Sequence, residues 1–395
     1  MTTLTLIERT PLRLPSEALN EDAARQLWQT FGAQVTVRFP SPQTAGQWEL
    51  IALDWVGVIP LGPLTIHLAP KIPLASLLTM LTTAYELQPT LLPGLTTAAG
   101  GTGLLDLFVA ELARGLLHRV RQGLSRVYEP AAERLPYVRG RIDLPRALRS
   151  QHPRVVPCRF EQQTADQADN QILAWTLYRS SRLALLQPQT RRLVSQARRA
   201  LDGISLQPWA PADVAAVYRD SRRYSRLTAD YRRLHALCLL ILEGCGPFAD
   251  SGTVHTLPFL INTARLFERF VASWLRAHLP PGLHLQEQER IAISSGAGLH
   301  FRADMVLYGA LDHRPVCIID TKYKAGSPSS SDIAQVASYA HARGCRRALL
   351  VYPTPLPRPL AAQIGDVTVT GLVFDLAQAD LNAAGQALLA QLLES

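Results

Sequence analysis

Two short apolar runs constrain this chain more than anything else in it: "FRADMVL" at 301–307 and "CIIDTKYKAG" at 317–326. Both read as strands, and side chains alternate faces along a strand. Asp320 and Lys322 therefore share one face, while Ile319 and Thr321 share the other. Asp304 alternates in the same way with Ala303 and Met305. The two aspartates stand 16 residues apart, with the turn-forming "GALDHRP" between them. That spacing predicts a hairpin in which both carboxylates meet on one face.

Composition sharpens the second run. The chain carries 40 basic residues, but only three are lysine: Lys71, Lys322 and Lys324. Two of the three fall just after Asp320. Arginine is planar and always charged, whereas lysine is a compact ammonium that loses its proton more readily when buried. In an arginine-biased chain a retained lysine points to a need for an ammonium, and Lys322 fits that need better than Lys324.

Two carboxylates at a sheet edge can hold a hard cation such as Mg²⁺, with Mn²⁺ as a substitute, because such ions prefer oxygen ligands and keep waters for a phosphate. The cation acidifies a water and offsets charge on the phosphate. Lys322 would position that water or neutralise charge in the transition state. Glu268, in "RLFERFV", lies at the edge of an apolar helical stripe and needs a partner, for which a metal water is one candidate. Gln335 and Tyr339, in "QVASY", are four apart and share a helix face. With Lys324 they are candidates to contact nucleic acid. Each feature also has an ordinary reading: a surface ion pair for Asp-x-Lys, a solvated face for Glu268, a plain helix face for Gln335 and Tyr339.

The rest of the chain sets the frame. At 395 residues, 47% hydrophobic and 18% charged, it has material for several packed cores. A net charge of +8 favours an acidic partner such as nucleic acid. The five cysteines show no metal spacing and sit mostly in apolar runs, which predicts buried thiols in a reducing compartment. No signal-peptide pattern and no long apolar span is read, so a cytoplasmic location and no membrane contact are expected.

Style changes along the chain predict a multidomain α+β protein. Residues 1–95 are β-rich, with "SLLTMLTTAYEL" as a short helix and 96–103 as a linker. Residues 96–250 are mainly helical, interrupted at "RVYEPAAERLPYVRGRIDLP". Residues 251–395 form an α/β domain with a mixed sheet, opened by a helix capped at Asn262 or Thr263. "YRDSRRYSRLTADYRRLHAL" interleaves Tyr with Arg; it suits a DNA backbone and an exposed helix face equally well. No phosphate-loop motif occurs.

The order E…(R)AD…D-x-K…Q-x-x-x-Y resembles the PD-(D/E)xK nuclease superfamily, with Ala303 where that pattern has Pro. More widely, the chain resembles the McrC family, the nuclease subunits of McrBC-type modification-dependent restriction systems. The matching stretches are "DWVGVIPLGPLTIHLAPKIPLASLLTML", "VRGRIDL", "CRFEQQTADQADNQIL", "LPFLINTARLFERFV" and "DTKYK". The resemblance implies a C-terminal nuclease domain that cuts double-stranded DNA. It implies a McrB-like AAA+ GTPase ring that reads modified bases, and an N-terminal region (1–95) that enters the ring and stimulates hydrolysis. It implies Asp304 and Asp320 as metal ligands, Lys322 as the catalytic lysine and Glu268 as the helix acid. Lys71, within the resembling N-terminal stretch, reads as a surface lysine or as a group at the ring interface. Two competing readings are a non-cleaving regulatory subunit and a stand-alone RecB-like nuclease.

Overall fold

The computed structural model describes residues 2–87, 101–149, 154–183, 186–246, 258–292, 300–310 and 313–394. The chain divides into two compact units, one made of residues 1–104 and 244–395, the other of 105–243. The first and third sequence segments thus share a unit. Most of the stretch read as a linker, 96–100, lies outside the described residues; residues 101–103 open a helix.

In the first unit, a four-stranded sheet runs in the order β1 (Thr2–Ile7), β6 (Leu64–Ala69), β5 (Trp55–Leu61), β10 (Phe259–Asn262). Strands β1 and β6 are parallel; β5 and β6 form a hairpin. Strand β10 arrives from the far side of the sequence and pairs antiparallel with β5, Phe259 opposite Val58 and Asn262 opposite Trp55. A small sheet of β2 (Pro11–Leu14), β4 (Trp48–Ala52) and β3 (Val35–Arg38) lies alongside in sequence. Leu6, Leu27, Phe31, Leu50, Ile59 and Leu260 share one core.

That core includes a helix absent from the sequence reading, which gave this segment little helix beyond "SLLTMLTTAYEL". Glu21–Phe31 is helical, capped by Asn20, whose side chain accepts from the Asp22 amide at 2.9 Å. Its buried positions are only Ala24, Leu27 and Phe31. So thin a stripe gives a weak period in a region otherwise full of strand residues. The second helix, Leu74–Ala84, falls near its expected place.

The same unit holds a six-stranded mixed sheet, ordered β11 (Leu283–Ala292), β12 (His300–Gly309), β13 (Pro315–Thr321), β14 (Arg347–Tyr352), β16 (Val367–Val373), β15 (Ala361–Ile364). The β11–β12–β13 meander is antiparallel; β13, β14 and β16 are parallel. The helix Ser330–Arg343 crosses between β13 and β14 and packs Val336, Ala337 and Ala340 against Ile318, Ala348 and Leu350. The helix Thr263–His278 begins directly after β10. Asn262 caps it, accepting from the Arg265 amide at 2.8 Å. Phe270 and Trp274 meet Phe374 edge-on, at 4.8 and 5.6 Å.

The second unit contains helices Ala168–Ser181, Pro188–Arg199 and Pro211–Arg219, together with most of Gly101–Gln122 and Ala229–Cys245. What the sequence marked as a break supplies β7 (Val127–Leu135) and β8 (Arg141–Ile142), which pair with the later β9 (Val156–Thr164) in a three-stranded sheet. Most β7 side chains are exposed, so no apolar alternation announces the strand. All five cysteines of the chain are buried free thiols.

Gly57 makes the β5–β10 pairing possible. Its φ is +142°, and a Cβ there would stand 2.0 Å from the Phe259 carbonyl oxygen. Gly57→Ala should push β10 off β5 and cost about 2–3 kcal/mol. Gly62→Ala, at the β5–β6 turn, has φ +58° but open space around its Cβ, and should cost only about 1 kcal/mol. Thermal denaturation of the two variants checks this; equal losses would refute the close-approach argument.

Candidate active site

Strand register builds the centre of the site. Met305 pairs with Ile319 and Val306 with Ile318, so one step further Asp304 stands opposite Asp320. Asp320 is 3% exposed at the end of β13. Asp304 is half-buried and accepts from Thr321 twice through Oδ2, from the amide at 3.1 Å and from Oγ1 at 3.2 Å. Asp304 is thus held by the strand that carries Asp320.

Lys322 continues the ladder: its amide donates to the Val351 carbonyl at 2.9 Å. Its Nζ lies 2.7 Å from Asp320 Oδ2 and donates to Gln335 Oε1 at 3.0 Å. Gln335 donates in turn to the Tyr339 hydroxyl at 2.8 Å. The Tyr339 ring is buried, 4.9 Å from Phe301. Gln335 and Tyr339 therefore form a prop behind Lys322, with Gln335 the exposed member. Lys324 pairs with Asp332 and reaches Ser329 Oγ at 3.4 Å. Asp332 and Ser329 are the two halves of the capping box that starts the Ser330–Arg343 helix.

Glu268 comes from the Thr263–His278 helix. Its Oε1 accepts a hydrogen bond from Gln288 Nε2. Gln288 lies in β11 between the pairs Glu287–Met305 and Glu289–Ala303, which puts it opposite Asp304. Its φ is +51°, a left-handed backbone within a strand. Such strain persists only where the surroundings impose it. Sequence reasoning missed Gln288, because "LQEQER" carries no sign of which glutamine turns toward the helix.

Electrostatics follow from this crowding. Burial, and then the Asp304 charge, push Asp320 up to about 6, partly offset by Lys322. Burial and Asp304 likewise push Glu268 up to about 7. Burial raises Asp304 as well, against its bonds from Thr321 and the nearby Lys322 charge. Burial works against the Lys322 ammonium, but Asp320, Asp332 and Asp304 outweigh it and hold its pKa above the ordinary value. The sequence argument allowed Lys322 to handle protons; this setting instead makes it a fixed positive charge.

The donor set suits Mg²⁺. Among the described residues no three His, Cys, Asp or Glu side chains converge into a full metal cage. Two opposed carboxylates are present, and buried Asp320 Oδ2 meets the Lys322 ammonium at 2.7 Å. Mg²⁺ commonly takes one or two protein carboxylates and fills the rest of its octahedron with waters and phosphate oxygens. Even with Lys322, and with Arg302 near Asp304 and Arg265 and Arg269 near Glu268, all three carboxyls stay above their ordinary range, and a divalent cation would favour their charged forms.

Part of the arginine-rich stretch of the second unit is committed internally, while Arg219, Arg222 and Arg226 are exposed. Tyr231 is fully buried and its hydroxyl donates to Asn170 Oδ1 at 2.6 Å. Arg223 pairs with Asp169 at 3.0 Å and Arg233 with Glu111 at 3.4 Å. Tyr218 and Tyr231 are buried, and the Tyr224 hydroxyl meets His235 Nδ1 at 2.9 Å.

The raised carboxyls carry a stability cost with a definite sign. A carboxyl whose pKa is higher in the folded state favours folding when protonated, and that advantage is lost as pH rises. For Asp320 the window runs from its ordinary 3.8 to about 6. At pH 7.5 with chelator, Asp320→Asn should raise the melting temperature by a few degrees, on the order of 1–3 kcal/mol. The gain should vanish near pH 4. A lower melting temperature at pH 7.5 would show that the Lys322 pair outweighs the burial cost.

Known proteins place the chain. A family profile described as "McrBC 5-methylcytosine restriction system component" matches residues 50–353. The "Type IV methyl-directed restriction enzyme EcoKMcrBC" of Escherichia coli K12 is 26% identical over 216 residues, which is 53% of this chain and 60% of that protein. The chain thus spans less than two thirds of the curated relative it matches. Among solved structures, a chain of the Thermococcus gammatolerans assembly of McrB AAA+ hexamers with bound McrC superposes with a TM-score of 0.58 at 18% identity, over 99% of this chain and 100% of that one. A chain of the McrBC complex of the same organism gives 0.48 at 20% identity, over 69% and 87%. The fold is therefore shared along the whole length with a chain of a McrB–McrC assembly, and the family match takes in β4 through β14. On that match the chain belongs to the family of McrBC 5-methylcytosine restriction system components.

Proposed function

We propose that this chain is the McrC-like, DNA-cutting subunit of a modification-dependent restriction complex, built on a PD-(D/E)xK-type nuclease domain. The observation that carries the reading is the cross-strand pair Asp304–Asp320 with Lys322 beside it and Glu268 close by, in a chain of the McrBC family. The reaction is hydrolysis of a DNA phosphodiester. Bound between Asp304 and Asp320, Mg²⁺ would acidify water and neutralise phosphate charge. Asp304 and Asp320 would hold the cation through carboxylates that the strand register sets opposite each other. Lys322, kept positive by its carboxylate neighbours, faces charge that develops on the phosphate. Glu268, held by Gln288, accepts a proton near that centre once it is itself ionised. Gln335 keeps the Lys322 side chain extended, and Lys324 adds positive charge beside the DNA path.

The partner reading rests on the solved relative, an assembly of McrB AAA+ hexamers with bound McrC. We assign this chain a McrB-like AAA+ GTPase ring, contacted by the N-terminal region and stimulated by it. The ring would read the modified base in double-stranded DNA. The chain has no phosphate-loop motif of its own, which fits a subunit that borrows its motor. Among the described residues no helix is long and apolar enough to cross a membrane.

Cleavage of a cytosine-methylated plasmid tests this, with the chain alone and with its AAA+ partner plus GTP and Mg²⁺. Cutting is expected only with the partner. Lys322→Ala and Asp320→Ala should each lower it by about 10²-fold or more, while stimulated GTP hydrolysis persists. Undiminished cutting by either variant would remove "DTKYK" from the mechanism. Stimulated hydrolysis with no cutting on any modified substrate would favour the regulatory reading.

A further inference from the structure

The third lysine leads to an unexpected group. Glu8, just past β1, is 1% exposed. Its Oε1 accepts from Thr263 Oγ1 at 2.5 Å. Its Oε2 accepts from the Lys71 amide and from the Tyr323 hydroxyl, both at 3.3 Å. Lys71 Nζ sits 3.9 Å above the Tyr323 ring and donates to the Tyr323 carbonyl at 3.3 Å. Tyr323 is 5% exposed and also packs on Phe267, with ring centroids 5.8 Å apart.

The partners matter because of where they stand in sequence. Thr263 is the first residue of the helix that carries Glu268. Tyr323 directly follows Lys322. One buried carboxylate from the N-terminal sheet therefore holds both elements that aim the acid and the lysine of the cutting centre. A second clamp runs in parallel: the Thr263 amide donates to the Asp54 carbonyl at 3.0 Å, and the Asp54 side chain pairs with Arg9. A buried carboxylate with three donors on it is hard to move, since losing any one leaves polar groups unpaired.

We propose that Glu8, Lys71 and Tyr323 are positioning residues of the nuclease centre, through which the N-terminal sheet sets the place of Lys322 and Glu268. The proposal rests on the cutting role assigned above. It makes cleavage depend on residues of the N-terminal region that touch neither metal nor DNA. A shift of about 1 Å in a catalytic group can cost on the order of 10²-fold in rate, so a modest loosening of this lock is enough to silence cutting.

The test uses the full chain assembled with its AAA+ partner, in single-turnover cleavage of methylated plasmid across a Mg²⁺ titration. The variants are Lys71→Met, Glu8→Gln and the milder Tyr323→Phe, which keeps the ring beneath Lys71 but loses the hydroxyl. The rate at saturating Mg²⁺ should fall by about 10- to 100-fold for the first two and less for the third. The Mg²⁺ half-saturation point, the melting temperature and stimulated GTP hydrolysis should stay near wild type in at least Tyr323→Phe. Wild-type rates in all three, with Lys322→Ala inactive, overturn the positioning role alone. Cleavage by Lys322→Ala overturns the cutting role and this proposal with it. Melting temperature, hydrolysis and cleavage falling together in every variant would make the group a folding contact only, and would equally overturn it.

Discussion

The pairing of Phe259–Asn262 with Trp55–Val58 is the constraint on which the first unit depends. It completes a sheet whose other strands end at Ala69, so the chain must leave, build residues 105–243 and come back. The entropy of closing such an excursion grows only logarithmically with its length, which is why a whole helical unit can be inserted there. On return, strand β10 runs straight into the Thr263–His278 helix. Hydrogen bonds to β5 therefore fix where that helix starts, and with it the height of Glu268. Gly57 is the residue that lets the two backbones approach.

The carboxylate centre is held together against its own electrostatics. Hydrophobic strands bury Asp304 and Asp320 face to face, and the Glu268 helix adds a third carboxylate nearby. Burial disfavours each charge, and the charges disfavour one another. Lys322 offsets part of this, from a position set by Gln335 and by the β13–β14 ladder. The surrounding sheet, with Ile318, Ala348 and Leu350 against the Ser330–Arg343 helix, supplies the stability that the site gives up. The left-handed Gln288 belongs to the same pattern of local strain within a rigid frame.

How much of this the sequence disclosed follows from range. Asp304, Asp320 and Lys322 were legible because strand alternation and a short hairpin place them, and both act over a few residues. Asn262 as a cap was legible for the same reason. The helix at Glu21–Phe31 was hidden by its sparse apolar stripe, and β7 by its exposure on both faces. Gln288 was hidden because its role comes from a backbone angle that no neighbouring residue type announces. Glu8 was wholly opaque: its partners Thr263 and Tyr323 lie more than 250 positions away in sequence. Composition marked where the chain changes style, near 95 and 250, but carries no information on which segments pair across those changes.

The scarcity of lysine now has a physical account at each of its three places. Lys324 bridges to Asp332 at the head of the helix behind the site. Lys322 must reach Asp320 and Gln335 within a narrow space, as a charge point that can also face a phosphate. Lys71 must place its charge over the Tyr323 ring while bonding that residue's carbonyl. Burial holds the Lys71 pKa below its ordinary value, and the nearby Glu8 and Asp54 charges offset only part of that. A guanidinium is broad and planar, with five donors to satisfy. At Lys71 it would separate the ring from the carbonyl; at Lys322 it would crowd the two aspartates. A chain free to use arginine on its surface has kept the compact cation at the places that hold and follow the strand carrying Asp320.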